Sequence, residues 1–169
     1  MRQKKSDVVD SLQIVSFKIG KEEYGVDILK VQEIQKIPKL LKLPFSQEHI
    51  LGVIDLRGKI IPIVDLAKRF GIIADLAKTK RIIVVDVNGK KIGLAIDSVS
   101  NVIKIESDKI EPPPPVVKGI SSKYVVGIAN LKTDFIVVLD INQIFSPEEL
   151  EELEAQHKKV TKQKKESKR

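Results

Sequence analysis

The chain of 169 residues contains no cysteine and no tryptophan, and it has only two histidines, His49 and His157. Without cysteine there can be no disulfide, cysteine nucleophile or thiolate metal site. A zinc site would have one nitrogen ligand outside the charged C-terminus, so we expect neither a metal nor another cofactor. No apolar run approaches the roughly 18 residues that span a bilayer, and no signal peptide is visible, so we expect a cytoplasmic protein.

Positive charge is concentrated at the C-terminus. The whole chain has a formal net charge of +7, from 30 Lys and Arg against 23 Asp and Glu. Residues 157–169 hold seven of those cations and one of the anions, and therefore carry +6 of the +7. The remainder is nearly neutral, which favours a solvated basic tail over a nucleic-acid-binding body. Binding of phosphate by the tail stays open as the alternative.

A helix is predicted just before this tail. Ser146 can cap its first turn, a proline follows at the first helical position, and Glu149 completes a capping box. Leu150 and Leu153 give the helix an apolar edge that should either dock on the rest of the protein or leave the helix frayed. We therefore expect a helix over roughly residues 147–158.

The chain repeats itself. A shift of 68 residues aligns 14–37 with 82–105, and a shift of 75 residues aligns 52–70 with 127–145 without a gap. The longer second shift indicates an insertion in the second half, which we place at the proline run 112–115 because prolines cannot lie in a central strand. Similarity of this kind indicates two copies of one structural unit.

Each copy has the pattern of a small β-barrel. Short runs of β-branched residues, bounded by Gly, Asn and Asp, predict five strands in about 65 residues. A barrel of this size is marginally stable alone, so two packed copies should share a buried seam, where binding sites tend to form. We divide the chain into a disordered N-terminus (1–11), a first barrel (12–78), a second barrel (79–146), and a C-terminal helix with the basic tail (147–169). The boundary between the barrels is approximate, and an exchange of strands between them is left open.

The sequence lacks the pattern of an active site. His49 is the single histidine of the body, and its motif offers no nucleophile or orienting partner. Asp65 and Asp140 occupy equivalent positions in the two copies and could form a carboxylate pair, but each fits the N-cap of a short helical segment better. We therefore predict a protein that is not an enzyme.

Nucleic-acid binding is only weakly indicated. Small barrels that bind nucleic acid use aromatic stacking platforms with interleaved basic residues. Aromatic residues are few in this chain, and basic clusters such as 78–81 lack aromatic neighbours. A tandem small-barrel nucleic-acid-binding protein that uses its basic tail remains the alternative to a protein-binding module.

One segment of the first copy can line the seam. Asp27 is placed to cap a helical turn, and Ile28 and Val31, three residues apart, share one face of it. These apolar residues are either core or the lining of a partly exposed groove. Periodicity alone cannot distinguish burial within the chain from burial in a partner, so both interpretations stay open.

Three sequence blocks resemble the CheW family of bacterial chemotaxis coupling proteins. They are Glu22–Ile34, Gly52–Gly58 and Ile61–Leu66, and the likeness extends from about Leu12 to Phe145. The resemblance implies a mainly β fold of two SH3-like, five-stranded barrels with short helices. It also implies a non-enzymatic adaptor that joins the cytoplasmic tip of methyl-accepting chemotaxis receptors to the histidine kinase CheA, whose regulatory domain has the same two barrels. Such an adaptor is cytoplasmic and is recruited to receptor arrays at the membrane.

The resemblance also implies particular binding residues. The receptor-binding groove between the barrels would be lined by Val15, Ile28, Val31 and Val99. Glu33 and Arg57 match positions that are linked to receptor and kinase coupling. This chain has Asp55 where the family usually has Asn, and the added negative charge could hold Arg57 in an internal pair.

Overall fold

A computed structural model describes residues 11–42, 48–72, 81–113, 122–132 and 134–155. In these ranges the strands are β1 (Ser11–Ile19), β2 (Glu22–Asp27), β3 (Val31–Lys36), β4 (Ile50–Leu56), β5 (Lys59–Asp65), β6 (Arg81–Val87), β7 (Lys90–Ile96), β8 (Ser98–Glu106), β9 (Ile110–Glu111), β10 (Val125–Asn130) and β11 (Phe135–Leu139). The helices are α1 (Leu66–Arg69), α2 (Ile141–Ile144) and α3 (147–155), and 3₁₀ turns lie at Ile28–Lys30, Ser107–Lys109 and Ser122–Tyr124. The predicted mainly β fold is confirmed.

The strands form two sheets, and each sheet draws on both sequence copies. One sheet has the order β8-β1-β2-β11-β10-β9, and the other has the order β3-β6-β7-β5-β4. The first two strands of each copy therefore lie in the barrel that the other copy completes. The ranges 12–78 and 79–146 describe the sequence copies, whereas the barrels arise by exchange of strands between them. The predicted disordered N-terminus (1–11) lies outside the described residues except for Ser11, which begins β1.

The two barrels follow the same pairing scheme. In each barrel the second strand of one copy runs parallel to the last strand of the other, β2 beside β11 and β7 beside β5. The registers are equivalent, because Val138 lies opposite Gly25 in one barrel and Ile63 lies opposite Gly93 in the other. The duplication read from the sequence is therefore present in the strand pairing of both barrels.

Apolar side chains fill both barrels and the seam between them. Strand alternation decides which core a residue joins. In β1, Ile14 belongs to the core of its own barrel, whereas Val15 and Phe17 belong to a cluster shared by both sheets and all three helices. We call this cluster the seam core; its members include Val15, Phe17, Tyr24, Phe70, Ile83, Val85, Leu94 and Leu150. Burial in the seam core raises the pKa of Tyr24 to about 12.

Helix α3 docks on the seam core, which is one of the two outcomes that its apolar edge left open. Glu149 N donates to Ser146 Oγ at 3.1 Å, and Ser146 N donates to Glu149 Oε1 at 3.0 Å, which completes the predicted capping box. Leu150 and Leu153 are buried against the seam core. The helix is described as far as residue 155, and the basic tail lies outside the described residues.

Arg69 joins α3 to both barrels. Its Nη2 donates to Tyr124 Oη at 2.9 Å, to the Ile144 carbonyl at 2.7 Å and to Glu149 Oε1 at 2.9 Å. The guanidinium also lies over the rings of Tyr124 and Phe145, with 5.1 and 5.9 Å to their centroids. We call the contact between Arg69, Tyr124 and Glu149 the clasp.

Gly93 stands where β7 and β5 approach each other closely. A Cβ at this position would clash with the end of the Ile63 side chain. We therefore expect Gly93→Ala to lower the free energy of unfolding by about 1–3 kcal/mol in urea denaturation. Ile63→Val removes the methyl group that the new Cβ would meet, so the double variant should lose less stability than the two single variants together. Additive losses would show that the close approach is not the cause.

His49 makes the stability depend on pH. Its Nε2 lies 3.8 Å from Glu149 Oε2, but burial and the charge of Arg69 lower the pKa of His49 more than Glu149, Glu152 and Glu48 raise it. The unfolded chain therefore takes up this proton more readily, and stability falls as the pH falls through about 6.5. We expect His49→Gln to reduce the loss of unfolding free energy between about pH 7.5 and about pH 5.5, measured by urea denaturation. Equal losses in both proteins would contradict this assignment.

Candidate partner-binding site

The chain crosses from one barrel to the other at the segment that the sequence analysis identified. β2 belongs to one sheet and β3 to the other, and the 3₁₀ turn Ile28–Lys30 joins them. The side chain of Asp27 accepts a hydrogen bond of 2.9 Å from Leu29 N, so the predicted cap is confirmed. Leu29 follows on this turn with its side chain strongly exposed.

Three of the four residues predicted to line the groove are partly exposed at the seam. Ile28, Val31 and Val99 are half-buried and pack against the seam core. Val31 and Val99 are equivalent in the two copies, and their cross-strand partners, Val85 and Phe17, belong to the seam core. The turn and the strands β3 and β8 thus place these three side chains over one shared core.

Val15 has a different place from the one that the resemblance implied. It is only 1 % exposed and belongs to the seam core. The reason is topological, because β1 is an interior strand, paired with β8 on one side and β2 on the other. Val15 therefore packs beneath the partly exposed side chains as part of the seam core and does not itself line an open groove.

Two further apolar residues, Ile34 and Val102, face the same side. They are equivalent in the two copies, and their cross-strand partners Ile83 and Val15 both belong to the seam core. Cross-strand partners in an antiparallel pair share a face, so both side chains point to the seam. Ile34 is 39 % exposed and Val102 is 56 % exposed. We call the set Ile28, Val31, Ile34, Val99 and Val102 the seam surface.

Ile34 and Val102 were not predicted from the sequence, because a β-bulge changes the alternation in both strands. Simple alternation would place residues 31, 33 and 35 on one face of β3. The pairing of β3 with β6 shifts between Val31 and Glu33, and the pairing of β1 with β8 shifts at the equivalent point. The extra residue brings Val31 and Ile34 to the same face. The match of Ile34 with Val102 at a shift of 68 residues was the available signal.

Glu33 and Arg57, the two predicted coupling residues, form an ion pair. Arg57 donates from Nη2 to Glu33 Oε2 at 2.5 Å and from Nη1 to Glu33 Oε1 at 3.3 Å. The hydrogen bond from Arg57 lowers the pKa of Glu33, and Glu33 in turn raises the pKa of Arg57. The Arg57 side chain is 75 % exposed. The pair links the edge strand β3 to the turn between β4 and β5.

Asp55 shapes the turn that carries Arg57. Its Oδ1 accepts a hydrogen bond of 2.9 Å from Gly58 N, and Arg57 has a positive φ of 50°. The sequence suggested that Asp55 could hold Arg57 in an internal pair. The bidentate partner of the guanidinium is Glu33.

The remaining carboxylates of interest have structural contacts. Asp65 accepts from Lys68 N at 3.3 Å and Asp140 accepts from Asn142 N at 3.0 Å, so both predicted N-caps are confirmed. Within the described ranges, no group of three or more His, Asp or Glu side chains is placed to hold a metal ion. No helix in the described part of the chain is long and apolar enough to span a membrane.

Comparisons with known proteins agree on one family. A family model described as "CheW-like domain" matches residues 13–149. The chain is 33 % identical over 149 residues to the "Chemotaxis protein CheW" of Treponema pallidum, covering 85 % of this chain and 88 % of that protein. It is 34 % identical over 140 residues to the "Probable chemotaxis protein CheW" of Rhizobium etli, covering 82 % and 90 %. The solved scaffolding protein TtCheW from Thermoanaerobacter tengcongensis superimposes with a TM-score of 0.73 at 42 % identity, covering 81 % of this chain and 94 % of that chain.

The two barrels with exchanged strands and the seam surface thus define a CheW-like double-barrel module. The chain belongs to the CheW family of chemotaxis proteins. The nucleic-acid alternative has no support from these comparisons. The structure also argues against aromatic stacking at the seam, because Phe17 and Phe70 are buried in the seam core.

Proposed function

We propose that the protein is a non-enzymatic adaptor that couples methyl-accepting chemotaxis receptors to the histidine kinase CheA. The observation that carries this proposal is the seam surface, an apolar surface with two strongly exposed members, Ile34 and Val102, in a CheW-family fold. Exposed apolar residues that lie together at a seam between packed units favour a protein partner. The adaptor would work in the cytoplasm, recruited to receptor arrays at the membrane.

The receptor tip is a helical hairpin, and the seam surface suits the apolar face of a helix. Side chains from both barrels meet there, so a helix lying along the seam would contact both. Each apolar side chain that becomes fully buried contributes about 1.5–3 kcal/mol. The loss of translational and rotational freedom costs about 4–15 kcal/mol, which leaves moderate affinity for one contact. Many such contacts in an array would then strengthen binding overall, because each contact that forms raises the effective concentration of the neighbouring partners.

The kinase contact would lie at the Glu33–Arg57 pair. The regulatory domain of the kinase has the same two barrels, so the two proteins can associate barrel to barrel. Glu33 holds the Arg57 guanidinium in one orientation while most of the side chain stays exposed. A charged group that is already oriented loses less side-chain freedom when a partner binds. The turn that carries Arg57 is therefore a rigid contact point beside an edge strand.

The receptor contact can be tested with aspartates on the seam surface. Val102→Asp and Ile34→Asp change exposed side chains, so both variants should fold. Val31→Asp tests a half-buried position of the same surface. Burial of a carboxylate against a helix is unfavourable, so we expect each variant to weaken binding of a receptor cytoplasmic fragment about tenfold or more. Isothermal titration calorimetry measures this directly.

Val126→Asp is the matched control for these variants. Val126 is 50 % exposed on β10, which carries no residue of the seam surface, and its replacement should leave receptor binding unchanged. Circular dichroism would verify that all variants are folded. Unchanged binding by Val102→Asp, Ile34→Asp and Val31→Asp would show that receptors do not bind at the seam surface.

Arg57 can be tested in a complex of all three proteins. We expect Arg57→Ala to lower the recovery of the kinase when the adaptor and a receptor fragment are co-purified, because the oriented guanidinium is lost. Arg57→Lys keeps the charge but cannot form the two-pronged contact with Glu33, so it should restore recovery only in part. A complex that forms normally with Arg57→Ala would show that the Glu33–Arg57 pair serves only the structure.

A further inference from the structure

A continuous row of aromatic rings crosses the seam core. Phe17 and Tyr24 have ring centroids 6.1 Å apart, Tyr24 and Phe70 are 6.0 Å apart, and Phe70 and Tyr124 are 6.1 Å apart. Phe17 and Tyr24 come from one barrel, whereas Phe70 follows α1, which is attached to the other barrel. Such ring pairs are stabilised by van der Waals packing and by the interaction of their electric quadrupoles. The geometry of this row therefore depends on how the two barrels pack against each other.

The two ends of this row reach the two functional regions. At one end Phe17 is the cross-strand partner of Val99, which belongs to the seam surface. At the other end the Tyr124 ring and hydroxyl both contact Arg69, which binds Glu149 of α3. Packed rings shift between discrete arrangements and do not deform smoothly. A change in the docking of α3 can thus reach the seam surface through this row.

Glu149 is the charged partner that Arg69 has in the clasp. The side chains of Arg69 and Glu149 are both largely buried, at 16 % and 23 % exposed. Loss of one member of a buried ion pair leaves the other charge uncompensated, which is strongly unfavourable. Removal of the Glu149 charge should therefore weaken the contact between α3 and the Arg69 guanidinium, and it should disturb Leu150 and Leu153 in the seam core.

We propose that the clasp positions the seam surface for its partner. Docking of α3 through Arg69 and Glu149 fixes the mutual placement of the two barrels, and that placement sets the arrangement of Val31, Val99 and their neighbours. Arg69 and Glu149 are positioning residues, which act on the partner through the aromatic row and do not touch it. The effect on partner binding rests on the proposed function, whereas the effect on the seam surface itself does not.

The test compares Glu149→Gln with Glu151→Gln in the full chain. Glutamine still suits the capping box, so Glu149→Gln removes the buried charge and retains the cap. Glu151→Gln removes the same charge from an exposed position on the same helix. Hydrogen exchange without any partner is the first measurement. We expect amides of β3 and β8 to exchange about two- to thirtyfold faster in Glu149→Gln only, with little change in β10 and β11.

The affinity for a receptor cytoplasmic fragment is the second measurement. It should fall by a comparable factor in Glu149→Gln and stay unchanged in Glu151→Gln. Arg69→Gln combined with Glu149→Gln removes both buried charges, so it should restore part of the exchange protection and affinity. That partial recovery is not expected of a residue that merely adds stability.

The possible results separate the two proposals. Uniformly faster exchange in all strands, or unchanged exchange in β3 and β8, would overturn the role of the clasp. Faster exchange there with unchanged affinity would overturn its role in positioning the seam surface for a partner. If the unmodified protein does not bind the receptor fragment, the proposed function fails, and the exchange experiment still decides whether the clasp controls the seam surface.

Discussion

The structure depends on burial of one apolar core, the seam core, to which both barrels contribute. A closed sheet of about 65 residues buries only enough apolar surface for marginal stability on its own. Most of the large buried side chains lie instead in the seam core, to which both sheets and all three helices contribute. Exchange of strands strengthens this arrangement, because separating the barrels would also break the parallel pairing of β2 with β11 and of β7 with β5. The two copies therefore form one folding unit.

The candidate site combines positions that are equivalent in the two copies with positions at which the copies differ. Ile28 is half-buried at the crossing from β2 to β3, whereas its counterpart Ile96 is 1 % exposed. The ion pair of Glu33 and Arg57 has Asn101 and Lys132 at the equivalent positions, and these cannot form a salt bridge. The equivalent positions stabilise the fold, and the positions at which the copies differ make the two sides of the site chemically distinct. Under the proposed function, these differences would allow the receptor and the kinase to be bound at distinct positions.

Local features of the fold were predictable, and the pairing was not. The caps at Asp27, Asp65 and Asp140 follow from short-range hydrogen bonds that residue types determine directly. The bulges that bring Ile34 and Val102 to the seam arise from the register between distant strands, which periodicity does not encode. The full burial of Val15 and the exchange of strands have the same origin. Residue type predicted the elements, and long-range pairing determined their partners and exposed faces.

The C-terminal helix makes the two barrels unequal in a way that bears on function. Ile60 is 8 % exposed and lines a pocket together with Leu150 and Leu153 of α3, whereas its counterpart Phe135 is 65 % exposed. Helix α3 follows the second copy yet packs beside a strand of the first, so it reaches across the duplication. Arg69, on α1 after β5 of the first copy, holds it there through Glu149 and also donates hydrogen bonds to Tyr124 and Ile144 of the second copy. On the proposal made above, an element so placed couples the covering of one barrel to the geometry of the seam, because Leu150 and Leu153 contribute to both.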